Sequence, residues 1–119
     1  LTRLIEYPAD VIRELYEIRQ QSEKGVQLLG ETESAAVILE LEADRIEYIT
    51  FLDAQGNVAE RNAVAKLQAL EARQAAELKK VEVNRIKTKL RQLSEAMNAT
   101  QTAGKMIELQ WKTAGVGER

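Results

Sequence analysis

The stretch VNRIKTKLRQLSEAMNATQTAGKMIELQW, residues 83–111, decides the fold. Its apolar and small positions, Val83, Ile86, Leu90, Leu93, Met97, Thr100, Gly104, Ile107 and Trp111, recur at alternating steps of three and four residues. On an α-helix that spacing gathers them into one seam. Followed backward, the same register passes through Lys79 and then Ala76, Ala72, Ala69 and Ala65. One very long helix therefore presents large side chains along its C-terminal half and a close-approach alanine surface along its N-terminal half.

The clearest punctuation lies at Asp53-Ala-Gln-Gly56-Asn57-Val-Ala-Glu60. Gly56 can adopt the left-handed conformation that ends one helix, and Asn57 with Glu60 three positions later reads as a capping box that starts the next. This is the tip of an antiparallel helical hairpin. The pattern predicts helix 1 over about 8–29, helix 2 over about 34–54, a tip at 55–57, helix 3 over about 58–112 and a frayed tail at 113–119. Pro8 suits a first helical turn. Val11, Ile12, Leu15, Ile18, Val26 and Leu29 form the apolar face of helix 1, and Gly30 to Ser34 reads as a kink or short turn before helix 2. A helix of ~50 residues is ~75 Å long at 1.5 Å rise per residue, so helix 2 covers only half of helix 3 and helix 1 is expected to cover the rest. The expected fold is all-α: a long, coiled-coil-like antiparallel helical hairpin with an additional N-terminal helix, elongated, oligomeric and built as a single helical domain.

Composition agrees. Forty-five per cent of the 119 residues are hydrophobic and 30% charged, with one proline and no sustained strand-type alternation. The chain has no cysteine and no histidine, which excludes disulfides, thiolate or imidazole catalysis and Cys/His zinc sites. No glycine-rich phosphate loop and no nucleophile–base arrangement is present, so the expectation is a non-enzymatic protein with no cofactor, no metal and no small-molecule substrate. The acids Glu40, Asp44 and Glu47 share a helix face, but a di-metal bundle also needs Glu-x-x-His motifs. The longest near-apolar run, Ala35–Leu41, is too short to cross a bilayer. No signal peptide is visible, and the default expectation is a cytoplasmic protein without a membrane partner.

Charge is divided along the chain. Residues 1–60 carry five basic and thirteen acidic side chains, and residues 61–119 carry twelve basic and six acidic, so the halves attract. An antiparallel hairpin centred on Gly56 sets Glu31 and Glu33 near Lys79 and Lys80, and Glu40 near Ala72 and Arg73. The most functional-looking segment runs from Lys79 to Arg91, where Lys79, Lys80, Arg85, Lys87, Lys89 and Arg91 stand against Glu82 alone. Lys80, Lys87 and Arg91 lie on one side of the seam, Lys89 on the other, and Arg85 points outward. Such a comb can follow a phosphate backbone with little sequence preference. Equally, Lys80, Lys87 and Lys89 occupy seam-flanking positions and can pair with Glu23, Glu31 and Glu33 inside the fold. Trp111 fits a core or interface anchor better than a base-stacking platform. Tyr7, Tyr16, Tyr48 and Phe51 read as packing residues. Because the seam outruns the partners seen for it, Val83, Ile86, Leu90, Leu93, Met97, Ile107 and Trp111 are expected at an oligomer or partner interface.

Three segments taken together carry a resemblance: Glu40-Leu-Glu-Ala-Asp-Arg-Ile-Glu-Tyr48, the turn Gly56-Asn-Val-Ala-Glu-Arg-Asn-Ala63, and Glu71-Ala-Arg-Gln-Ala-Ala-Glu77 with the basic residues after it. Over roughly Ala35 to Met97 they resemble phage helical-hairpin proteins near the UvsY-type recombination mediators. The resemblance implies a homo-oligomer of ring-like form that binds single-stranded DNA and helps load a recombinase onto strands coated by single-strand-binding protein, in the cytoplasm of a bacterial host. Only Lys79, Lys80, Arg85, Lys87, Lys89 and Arg91 offer phosphate contacts for that role. Two rivals stand beside it. One is a structural, scaffolding or adaptor coiled-coil protein with protein partners alone. The other is a small inhibitor whose acidic N-terminal half mimics nucleic acid.

Overall fold

The computed structural model describes residues 8–114, so the expected packing role of Tyr7 and most of the expected frayed tail lie outside the described residues. Three helices follow in order: α1 (Pro8–Asp53), α2 (Val58–Gln68) and α3 (Leu70–Thr113). Only residues 54–57, Ala69 and Ala114 stand outside them among the described residues. The chain is an all-α antiparallel helical hairpin.

The tip forms as its residues dictate. Gly56 takes φ 108°, and the Asn57 side chain accepts from the Glu60 N–H at 2.8 Å. Glu60 folds back over Gly56 so closely that a Cβ there would lie 2.5 Å from its carboxylate. No basic residue lies in the last turn of α1. Arg61 supplies the missing cation from across the tip. Its Nε donates to the Phe51 carbonyl at 3.0 Å, and its guanidinium lies 4.3 Å from the centre of the Phe51 ring. That satisfies one of the carbonyls every helix C-terminus leaves open and places positive charge at the negative end of the helix dipole.

Helices 1 and 2 of the sequence reading are one helix of 46 residues, and no turn interrupts it at Gly30–Ser34. The expectation overweighted local propensity. No proline interrupts this run, and a glycine in a helix costs only about 0.5–1 kcal/mol relative to alanine. Gly30 faces open space, with nothing within 4 Å of a built Cβ. Thr32 is buried, and its hydroxyl donates to the Leu28 carbonyl at 2.7 Å, so its polar group is satisfied within the helix. Packing of one continuous face outweighs propensity. That face runs Val11, Leu15, Ile18, Ser22, Gly25, Leu29, Thr32, Ala36, Leu39, Ala43, Ile46 and Thr50, all buried or half-buried. Ile12 and Val26, assigned to it from sequence, are exposed. In the second arm a single residue departs from the helix at Ala69, where the Ala69 N–H still donates to the Ala65 carbonyl and the Arg73 N–H to that of Ala69.

The described chain divides into two compact units. The first holds the residues up to Gln27 together with those from Lys87 onward. Ile18, Leu93 and Ile107 are its buried apolar residues, with Glu14 and Thr100 buried among them. Two seam glycines sit in this unit, each beneath a branched side chain of the other helix. A Cβ on Gly25 would lie 2.7 Å from Leu90 Cδ2, and one on Gly104 would lie 3.0 Å from Val11 Cγ1. The second unit, Leu28–Ile86, has a core of small residues, Ala36 and Ala43 from α1 against Ala65, Ala69 and Ala76, closed by Val83.

The two α1 glycines make a direct test. Gly30→Ala is expected to raise unfolding stability by about 0.5–1 kcal/mol, the helix-propensity gain with no steric cost. Gly25→Ala should fall short of that value, because Leu90 must give way. Paired urea denaturations check the difference.

Candidate interaction surfaces

Ionic contacts across the seam occur in the second unit, where Arg73 carries a fork from α3 to α1. Its two terminal nitrogens reach the carboxylates of Asp44 and Glu47, each at 2.7 Å. The guanidinium pKa is raised, chiefly by the hydrogen bond to Asp44. Lys80 contacts Glu40 at 2.6 Å and Glu77 at 3.2 Å, and the same two hydrogen bonds raise its pKa, that of Glu40 first. The acid trio Glu40, Asp44 and Glu47 is thus occupied by Lys80 and Arg73.

These pairs correct the expected register. Glu40 meets Lys80 rather than Arg73, and Arg73 meets Asp44 and Glu47, about one to two turns closer to the tip. Side chains lean toward the N-terminus of their own helix. In an antiparallel pair, long side chains therefore meet when each starts from a position C-terminal to the level at which their heads touch.

The sequence-predicted cations separate into two sets. In the second unit Lys79 pairs with Glu82 at 3.0 Å and Lys80 is paired as above, while Arg85 is exposed with no ion pair among the described residues. In the first unit Lys87 and Lys89 are exposed and form no ion pair among the described residues, and Arg91 touches only the Thr88 hydroxyl at 3.4 Å. The expected pairing of Lys80, Lys87 and Lys89 with Glu23, Glu31 and Glu33 does not occur; Glu23 pairs with Arg19.

The seam residues expected at an intersubunit interface are largely used within the chain. Val83, Leu93 and Ile107 are buried, and Ile86, Leu90 and Met97 are half-buried. The reason is the unbroken α1, which is long enough to cover them. Trp111 alone of this set is exposed, on the wall of a cleft of about 780 Å³ in the first unit that Pro8, Val11, Ile12 and Leu15 also line.

The apolar surface that remains lies on the opposite side of each helix. In the second unit the outer face of α1 shows Ile38, Leu41, Tyr48 and Leu52, between 57% and 67% exposed. Within this stripe the charge is Arg45, held by Glu42 through contacts of 2.6 and 3.0 Å, a pairing that lowers the Glu42 pKa. The outer face of α2–α3 shows Val64, Leu67, Leu78 and Val81, between 44% and 73% exposed. Sequence reasoning missed both. The signal was there, since each stripe also steps by three and four, but it lies half a turn from the stronger seam. Tyr48 and Tyr16, read as packing residues, are exposed.

Among the described residues no helix is long and apolar enough to cross a membrane. Comparison with protein-family models, with curated proteins and with solved structures finds no match to this chain.

Arg73→Ala should lower the melting temperature at low salt and by a smaller margin at 1 M salt, because exposed ion pairs are screened. An equal loss at both ionic strengths would mean that Arg73 acts through packing of its stem.

Proposed function

We propose that this protein is a non-enzymatic adaptor or scaffolding hairpin that binds partner helices on the outer faces of its second unit. One observation carries the reading: Ile38, Leu41, Tyr48 and Leu52 form a heptad-spaced apolar stripe that the hairpin's own seam leaves uncovered. An exposed apolar stripe of this kind, broken only by the internally paired Arg45, suits a docking site, and its three- and four-residue steps fit an amphipathic helix laid along it. The seam already holds the hairpin together, so the stripe is available for recognition without loss of the fold.

A second reading, single-stranded DNA binding in recombination, rests on Lys87, Lys89 and Arg91. These three exposed cations of the first unit have no carboxylate partner among the described residues. With the resemblance to phage recombination mediators they support an electrostatic backbone contact.

A photo-crosslinking residue in place of Leu41, expressed in the cells that make the protein, should capture a defined protein adduct, whereas the same residue in place of Gln55 at the tip should not. Equal capture at both positions, or none, removes the adaptor reading. For the second reading, anisotropy of labelled single-stranded DNA should show salt-dependent binding. Replacing Lys87, Lys89 and Arg91 by glutamine should then flatten the logarithmic salt slope by about 2, from ~0.7 per phosphate neutralised. Absence of binding at low salt would assign these cations no nucleic-acid role.

A further inference from the structure

The outer stripe of α2–α3 has a property that the α1 stripe lacks. Read in order it is Val64, Leu67, Glu71, Gln74, Leu78 and Val81, with steps of three, four, three, four and three residues. Both the residue types and the spacings read the same in reverse: aliphatic, leucine, polar, polar, leucine, aliphatic. A palindromic stripe is self-complementary when a second copy runs antiparallel across it, which is the requirement of a two-fold interface. We infer that this face, within the second unit, is a two-fold self-association surface on which a second copy of the chain packs antiparallel. The inference rests on the reading of the outer faces as helix-docking surfaces.

The pairing follows from the register. Val64 lies against Val81 of the partner subunit, Leu67 against Leu78 of the partner subunit, and Glu71 against Gln74 of the partner subunit, each pair occurring twice. The four apolar side chains are the exposed ones, and all six positions are on the surface of the hairpin. In the central layers the Gln74 amide donates to the partner's Glu71 carboxylate, so each charged group meets a hydrogen-bond donor and no two carboxylates stand opposite. A slip of one heptad would set Glu71 against Leu67 or Val81 and leave a carboxylate facing an aliphatic side chain. Polar residues inside an otherwise apolar seam fix register in this way. The backbone is compatible, because the ladder on either side of Ala69 continues through the Ala65 and Ala69 carbonyls.

The α1 stripe does not pair with itself. Its positions Ile38, Leu41, Arg45, Tyr48 and Leu52 step by three, four, three and four, and the reversed order does not superimpose. Antiparallel pairing of two copies would put Arg45 opposite Leu41 or Tyr48 of the other chain. The α2–α3 face is thus suited to a second copy and the α1 face to a different helix.

Sedimentation equilibrium of the full chain over a wide concentration range is expected to show a monomer–dimer equilibrium. The double variant Leu67→Glu/Leu78→Glu should be monomeric with unchanged helicity and, at concentrations where the parent is monomeric, unchanged melting of the hairpin, since both side chains are exposed in the monomer. Leu41→Glu/Tyr48→Glu should dimerise like the parent. Because the chain has no cysteine, register can be read directly: oxidation of a mixture of Glu71→Cys and Gln74→Cys chains should yield the cross-linked heterodimer several-fold over either homodimer. A parent chain that stays monomeric, a dimer lost equally in the α1 variant, or no preference for the heterodimer would each overturn the proposal. Those outcomes leave the adaptor reading to be judged by cross-linking at Leu41, so the two fail separately.

Discussion

The fold of each unit depends on the seam between α1 and the second arm. Along it both helices keep a seven-residue repeat, and the side chains that meet are matched in size: branched residues over glycines in the first unit, alanine beside alanine in the second. Matching of this kind lets two helices close on each other without voids, and interiors lose stability whenever a methylene is missing or in excess. Most helical stability in proteins comes from packing of an apolar face rather than from propensity. The seam therefore makes α1 continuous as well as holding it, carrying the helix through Gly25, Gly30 and Thr32.

Charge works around the seam without replacing it. The acidic first half and basic second half of the sequence attract, and the attraction is realised at Arg73 with Asp44 and Glu47 and at Lys80 with Glu40. All of these groups are substantially exposed, where ion pairs contribute little to stability. Their stronger effect is on register, since a helix slipped by one turn would forfeit the Arg73 fork. Once those pairs are made, the cations between Lys79 and Arg91 without an ion pair among the described residues are Arg85 in one unit and Lys87, Lys89 and Arg91 in the other.

How far the sequence could be read follows from which signals were local. The Gly56–Asn57–Glu60 tip and the seam from Ala65 to Ile107 were legible because a cap motif and a heptad repeat need no knowledge of the partner. The continuity of α1 was not, because Gly30-Glu-Thr-Glu-Ser resembles a turn until Thr32 is recognised as a seam position in the register of Ile18 and Leu39. Ile12 and Val26 fall off the seam for the same reason: hydrophobicity alone does not give helical phase. The ion pairs were misplaced by one to two turns because side-chain lean was left out of the helix geometry. The candidate site shifted most. The seam, expected both to be covered by helix 1 and to supply an interface, is largely covered by α1, and Trp111 alone of the expected interface set is exposed.

What remains for recognition is then decided by subtraction. A helix has room for two apolar stripes half a turn apart, and a hairpin consumes one stripe per helix. A chain needing only its own fold would make the second stripe polar, as surface economy and solubility favour. Here the second unit keeps Ile38, Leu41, Tyr48 and Leu52 on one helix and Val64, Leu67, Leu78 and Val81 on the other. The first of these is interrupted by an internally neutralised charge and the second by a reversible polar pair. Those two interruptions differ in symmetry, and symmetry separates a face that can meet its own copy from one that cannot. Binding information in this chain thus resides in where each apolar stripe is broken.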